Sequence, residues 1–176
     1  RKLQRQYSTG GDAILNTSVN RIADAFVAIV NAEGPISINT AKQRVVEAWA
    51  TRKGKRISDY LDIAIAYAKR NGYLVVKGNF LWPLGMDILP LRIHKNGHDI
   101  RAILEIPPEE IELAIRECIK GAVGITFDDL IRETCRLFGL SATTENNLQV
   151  SKIIRTLELN DVLVSRNDKL TKGKGF

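Results

Sequence analysis

This chain has little that suits covalent chemistry or metal binding. Its 176 residues include two cysteines, two histidines and one methionine. Cys118 and Cys135 each fall at an apolar position of an expected helix. They read as small buried hydrophobes in a reducing compartment, not as a disulfide or a metal site. His94 and His98 lack cysteine partners at ligand spacing, so zinc is a poor reading. A Walker-type phosphate loop is absent, which excludes an ATPase built from this sequence alone. No Ser-His-Asp or Cys-His arrangement is evident. Glu109, Glu110, Glu112, Glu117, Asp128, Asp129 and Glu133 are explained by helix starts and solvated faces better than by a metal-dependent nuclease. The expectation is therefore a non-catalytic chain with no cofactor and no metal.

Long hydrophobic runs are missing too. None approaches the roughly 20 residues that cross a bilayer, and no signal peptide opens the chain. No membrane partner and a cytoplasmic location are expected. The first residue is Arg1, not Met, and the sequence reads as an excised piece of a longer polypeptide.

Apolar residues make up 44 % of the chain, enough for a globular core. The net charge of +6 is unevenly spread. Residues 1–90 carry 13 basic and 7 acidic side chains, whereas residues 91–176 carry 13 of each. The whole excess lies in the first half, which points to a polyanion partner there.

Residues 1–19 read as a polar lead-in arm. After a cap at Ser18 or Asn20, Ile22, Ala25, Phe26, Ile29 and Val30 recur at helical spacing. That helix should stop near Gly34-Pro35. Ile36-Ser37-Ile38 is short and β-prone. Asn39 or Thr40 is expected to cap a second helix that buries Ala41, Val45, Ala48 and Trp49. The most basic run of the chain, Arg52-Lys53-Gly54-Lys55-Arg56, follows. A third helix is expected from about Ile57 to Arg70, stopped by Asn71-Gly72. Two apolar segments around Lys77-Gly78-Asn79 make a hairpin. Residues 83–107 hold Pro83, Pro90 and Asn96-Gly97 with little helical period. They read as a structured linker, with a small hairpin around Asn96-Gly97 as the lesser possibility. Pro107-Pro108-Glu109-Glu110 suits a helix start. Two more helices, one capped by Asp128 and one starting at Thr143 or Thr144, lead to a last hairpin at 162–170. A frayed basic tail is expected at 171–176.

The pattern repeats at a shift of 89 residues. Ile22 matches Ile111, Ala25 matches Ala114, Ile36 matches Ile125 and Trp49 matches Phe138. Asn71, Leu74, Val75 and Leu81 match Asn160, Leu163, Val164 and Leu170. Two modules, 20–82 and 108–170, are expected, each helix–strand–helix–helix–hairpin. The fold class is mainly α with small β-hairpins (α+β), arranged as a tandem winged helix-turn-helix repeat. The modules differ electrically. The first holds 10 basic and 5 acidic groups, the second 8 and 11. The basic run aligns with Ser141-Ala142-Thr143-Thr144-Glu145.

Four stretches together resemble a known family. They are Glu33-Gly34-Pro35-Ile36, Phe80-Leu81-Trp82-Pro83, Ile106-Pro107-Pro108-Glu109-Glu110-Ile111, and Gly124-Ile125 through Leu130-Ile131-Arg132-Glu133-Thr134. The family is the C-terminal domain of unknown function that closes large bacterial helicase-like proteins, behind a superfamily I helicase core and a restriction-endonuclease-like module. The resemblance spans roughly residues 30–170. It implies that the rest of a parent polypeptide is a partner, and it brings no catalytic residues. After Phe138-Gly139 the family pattern has an arginine-containing turn, whereas this chain has Leu140-Ser141-Ala142-Thr143-Thr144.

The expected function is non-catalytic binding of DNA phosphates through the first module, with weak sequence selectivity. Candidate contacts are Arg52, Lys53, Lys55 and Arg56 at the start of the third helix, Lys42 and Arg44 on the second, and Lys77 at the hairpin tip. Asp59 and Asp62 should lie on the exposed side of the third helix and repel the DNA backbone. Phe80 and Trp82 are expected to close the core and not to stack on bases. The competing expectation is a protein–protein docking module of the same architecture, which the acidic second copy suits better.

Overall fold

The computed structural model describes residues 13–52, 54–86 and 88–176. Their contacts separate into two compact units, Arg1–Ile88 and Leu89–Phe176. The first contains α1 (Val19–Glu33), β1 (Ile36–Ser37), α2 (Ile38–Ala48), α3 (Lys55–Arg70), β2 (Leu74–Lys77) and β3 (Phe80–Pro83). The second contains α4 (Pro108–Lys120), α5 (Phe127–Leu137), α6 (Thr144–Leu159), β4 (Leu163–Arg166) and β5 (Lys169–Lys172). Helices with small antiparallel sheets make this an α+β chain. None of the helices is long and apolar enough to cross a membrane among the described residues.

In the first unit α1 buries Ile22, Ala23, Ala25, Phe26, Ile29 and Val30, a stripe set by the 3.6-residue period. It packs chiefly against α3, which turns Ile57, Leu61, Ala64, Ile65 and Ala68 inward. The sheet has the order β1-β3-β2, with Ile36 opposite Leu81 and Leu81 opposite Val76. Leu74 and Leu81 close the core. In the second unit β4 and β5 pair alone, and an isolated bridge joins Ile125 to Leu170.

The 89-residue shift carries α2 onto α5, α3 onto α6, β2 onto β4 and β3 onto β5, end to end. It also carries the Ile36–Leu81 pair onto the Ile125–Leu170 bridge. Backbone excursions repeat as well. Ala50 (φ 50°) maps to Gly139 (φ 74°), Gly72 (φ 69°) to Asp161 (φ 55°) and Gly78 (φ 54°) to Asn167 (φ 49°).

Several expectations change. Of the lead-in arm, residues 1–12 lie outside the described residues, but 13–18 belong to the first unit. Ile14 is fully buried there. The Thr17 hydroxyl donates to the Ala13 carbonyl and accepts from the Trp49 indole, and Tyr60 donates to the Thr17 carbonyl at 2.7 Å. The cap of α2 is Ser37, whose Oγ accepts from the Thr40 N–H; neither Asn39 nor Thr40 caps it.

The linker expected at 83–107 is also revised. Residues 89–107 fold into the second unit, where Ile93, Ile103 and Ile106 are core. A 3-10 turn at His94–Asn96 replaces the possible hairpin. Their irregular apolar spacing hides this, because a buried carboxylate and not a regular element organises the segment. Glu110, 0 % exposed, accepts from the Arg92 backbone N–H at 2.9 Å and from its guanidinium at 2.7 Å. It also accepts from both terminal nitrogens of Arg101, at 2.6 and 3.0 Å.

The tail is not frayed. Gly173 N–H donates to the Val162 carbonyl and Gly175 N–H to that of Asp161, and Phe176 packs on the core. A Cβ at Gly173 would lie 2.1 Å from the Asp161 oxygen, so only glycine allows this approach.

Candidate nucleic-acid interface

The candidate site is the turn from α2 into α3. Trp49 ends α2, and Ala50 crosses to positive φ. Ala50 N–H then bonds to Glu47 O and Thr51 N–H to Val46 O, the paired bonds of a Schellman motif. The same two bonds recur at Gly139 and Leu140 in the second unit. The chain therefore leaves α2 and α5 by equivalent turns, and the starts of the helices that follow can be compared.

At α6, Thr143 caps the helix by accepting from the Asn146 N–H, and Glu145 sits in the first turn. At α3 the cap is Gly54, with no side-chain hydrogen bond and no acid in the first turn. Lys55 and Arg56 are instead its first two residues, so the helix begins two residues earlier than the sequence suggests. Helix N-termini carry a partial positive charge, and cations there cost roughly 0.3–1 kcal/mol each. Folding alone does not favour this arrangement. Arg52, Lys55 and Arg56 are exposed and form no ion pair among the described residues. Lys53 lies outside the described residues.

The other expected contacts divide. Lys42 is 6 % exposed, and its ammonium donates to Asp62 Oδ2 at 2.7 Å and to Ser58 Oγ at 3.1 Å. It is an internal counter-ion and is withdrawn as a surface phosphate ligand. Its position on α2, beside buried Ala41 and three residues before buried Val45, turns it toward α3. Asp62 is thereby neutralised, which leaves Asp59 as the one acid on α3 with no ion pair among the described residues.

Arg44 Nε donates to Glu33 at 3.2 Å, and the guanidinium lies 3.5 Å from Glu47. Burial lowers its pKa, but the Glu33 and Glu47 carboxylates outweigh this and hold it above the ordinary arginine value. Arg44 is thus committed within the unit, though partly exposed. Lys77 is exposed at the end of β2, with its ammonium 4.1 Å from the centre of the Trp82 ring.

Phe80 and Trp82 are buried, so neither is an open stacking platform. The Trp82 indole N–H has no hydrogen-bond partner among the described residues. Among the described residues no His, Cys, Asp or Glu cluster has the makings of a metal site. Burial raises both cysteine thiols, so neither is activated.

The Glu110 cluster escapes a reading of the sequence, because Glu110 sits in a helix start that acidic residues favour on dipole grounds alone. Only the arginines at 92 and 101, on either side of the Asn96-Gly97 turn, hint at a shared partner.

No family model matches the chain, and no curated protein matches it. Among solved structures, a chain of the "Nse1-Nse3-Nse4 complex" is similar at 10 % identity with a TM-score of 0.29, over 90 % of this chain and 70 % of that one. A likeness at that score carries no argument about fold or function.

Proposed function

We propose that this chain is a tandem winged helix-turn-helix that binds the phosphate backbone of DNA through Arg52, Lys55 and Arg56 of its first unit. It would do so as a non-catalytic accessory part of a larger helicase-like polypeptide, a placement that rests on the sequence resemblance alone. One observation carries the DNA reading. Two helices that follow equivalent helix-ending turns differ at their starts: α6 has a side-chain cap and an acid, and α3 has neither and holds cations. Free backbone N–H groups beside Lys and Arg suit a phosphate oxygen. The Lys42–Asp62 pair supports the reading, because it removes one repulsive charge from α3. Asp59 remains exposed there, which favours phosphate contact over base reading.

Changing Arg52, Lys55 and Arg56 together to Glu tests this. Loss of duplex retention in a low-salt gel shift is the expected result, and unchanged retention refutes it. A second reading, protein docking through the second unit, is favoured by exposed Leu148 and Leu159 on α6. Salt separates the two, because phosphate binding weakens steeply as salt rises and apolar docking does not.

A further inference from the structure

Residues 108–170 carry more acids than bases, yet the hairpin at their end does not. Residues 166–174 hold Arg166, Lys169, Lys172 and Lys174 against a single acid, Asp168. Asn167 and Asp168 both have positive φ, the mark of a two-residue type I′ turn. That turn sets Arg166 directly opposite Lys169. Like charges at directly opposed strand positions repel. Neither side chain has a carboxylate within ion-pair distance among the described residues. Beside this pair lies an open groove of about 390 Å³ lined by Asp161, Val164, Arg166, Lys172, Gly173 and Lys174. Its edge is fixed, because Gly173 donates to the Val162 carbonyl and sits too close to Asp161 for any side chain. Lys172 is also anchored, donating to the Lys120 carbonyl at 3.2 Å with its ammonium over the Phe176 ring. The matching hairpin of the first unit has one cation, Lys77, opposite Phe80.

We infer that the β4–β5 hairpin is a second phosphate-binding surface, with Arg166 and Lys174 contacting a nucleic-acid backbone at the groove and Lys169 contacting it from the strand position opposite Arg166. A cross-strand pair of cations with no ion-pair partner among the described residues is relieved by an external polyanion, and Arg166 and Lys174 both line the open groove. The two units then divide the work: the first uses its helix turn and the second its hairpin. The inference rests on the reading that the chain binds DNA.

The test uses the full chain and a duplex longer than both sites, with affinity measured across a salt series. Arg166→Gln, Lys169→Gln and Lys174→Gln together should lower the slope of log affinity against log salt by about 2–3, near 0.9 for each lost phosphate contact. Lys169→Glu separates binding from stability. It converts a repulsive cross-strand pair into an attractive one, so it should melt no lower than the parent chain while binding DNA more weakly. An unchanged slope and affinity in the triple variant overturns the inference and leaves the first-unit reading standing. If the hairpin variant loses binding while Arg52→Glu, Lys55→Glu and Arg56→Glu together keep it, the inference stands and the first-unit reading falls. Failure of the parent chain to bind duplex overturns both.

Discussion

Replacing Glu110 with Gln removes one charge and almost no volume from the second unit. The carboxylate is fully buried, while its partners Arg92 and Arg101 are 18 and 21 % exposed. Removing one member of a buried ion pair costs about 3–5 kcal/mol. The two guanidiniums keep some contact with water, so the low end, about 3 kcal/mol, is the expected loss. For a unit of this size that corresponds to a fall of about 12–24 °C in melting temperature.

The chain supplies its own reporters. Trp49 and Trp82, the two tryptophans of the chain, lie in the first unit, so indole fluorescence follows that unit alone. Far-ultraviolet circular dichroism follows both. In urea the Gln variant should show an early loss of ellipticity with the fluorescence midpoint unmoved.

The pH dependence is a second signature. Burial would raise the Glu110 carboxyl, but hydrogen bonds from Arg101 and Arg92, with their charges, hold it below its ordinary 4.5. The unfolded chain therefore takes up the proton first. The stabilisation is complete above about pH 4.5 and is lost as pH falls through the depressed folded value. The Gln variant should lack this acid-dependent loss. A stability change under about 1 kcal/mol, or an unchanged acid slope, refutes the account.

Three further outcomes are expected. Gly54→Ser should stabilise the first unit by a few tenths of a kcal/mol by capping α3, while weakening DNA binding because the hydroxyl occupies amides a phosphate would use; fluorescence-detected urea melts and a binding titration read the two effects. Lys42→Met should change stability by less than about 1 kcal/mol, since an apolar chain of similar volume suits that site, whereas Asp62→Asn should cost about 1–2 kcal/mol by leaving the buried ammonium short of its carboxylate; urea midpoints separate the pair. Gly34→Ala should destabilise the first unit by about 1–3 kcal/mol, because the new Cβ would lie 2.4 Å from the Val30 oxygen and 2.9 Å from Pro83 Cδ; the indole fluorescence midpoint is the readout.

Most helices were legible because their buried faces follow a 3.6-residue period, as Ile22 to Val30 shows. Both hairpins were legible because Asn71-Gly72 and Asn160-Asp161 stop a helix before an apolar pair. The segment 89–107 was not, since Ile93, Ile103 and Ile106 follow no period and depend on a carboxylate elsewhere in the chain. The charged candidates show the same limit. Helical position placed Lys42 on α2, but only packing reveals that Asp62 takes up its charge. Arg52, Lys55 and Arg56 were identifiable from charge density alone, whereas the missing cap at Gly54 needed the helix start to be located. The basic hairpin of the second unit was hidden by the acidic total of residues 108–170.

The matched excursions to positive φ bear on how two units with the same order of elements can differ so much in charge. At each such place the two units carry different residues: alanine and glycine at 50 and 139, glycine and aspartate at 72 and 161, glycine and asparagine at 78 and 167. What persists is the position at which the backbone reverses its handedness, and a reversal point restricts very little of the sequence around it. Surface residues next to these turns can therefore differ in charge between the units while the path of the chain stays the same. Residue identity registers where the halves differ. The φ angles along the chain register what they share.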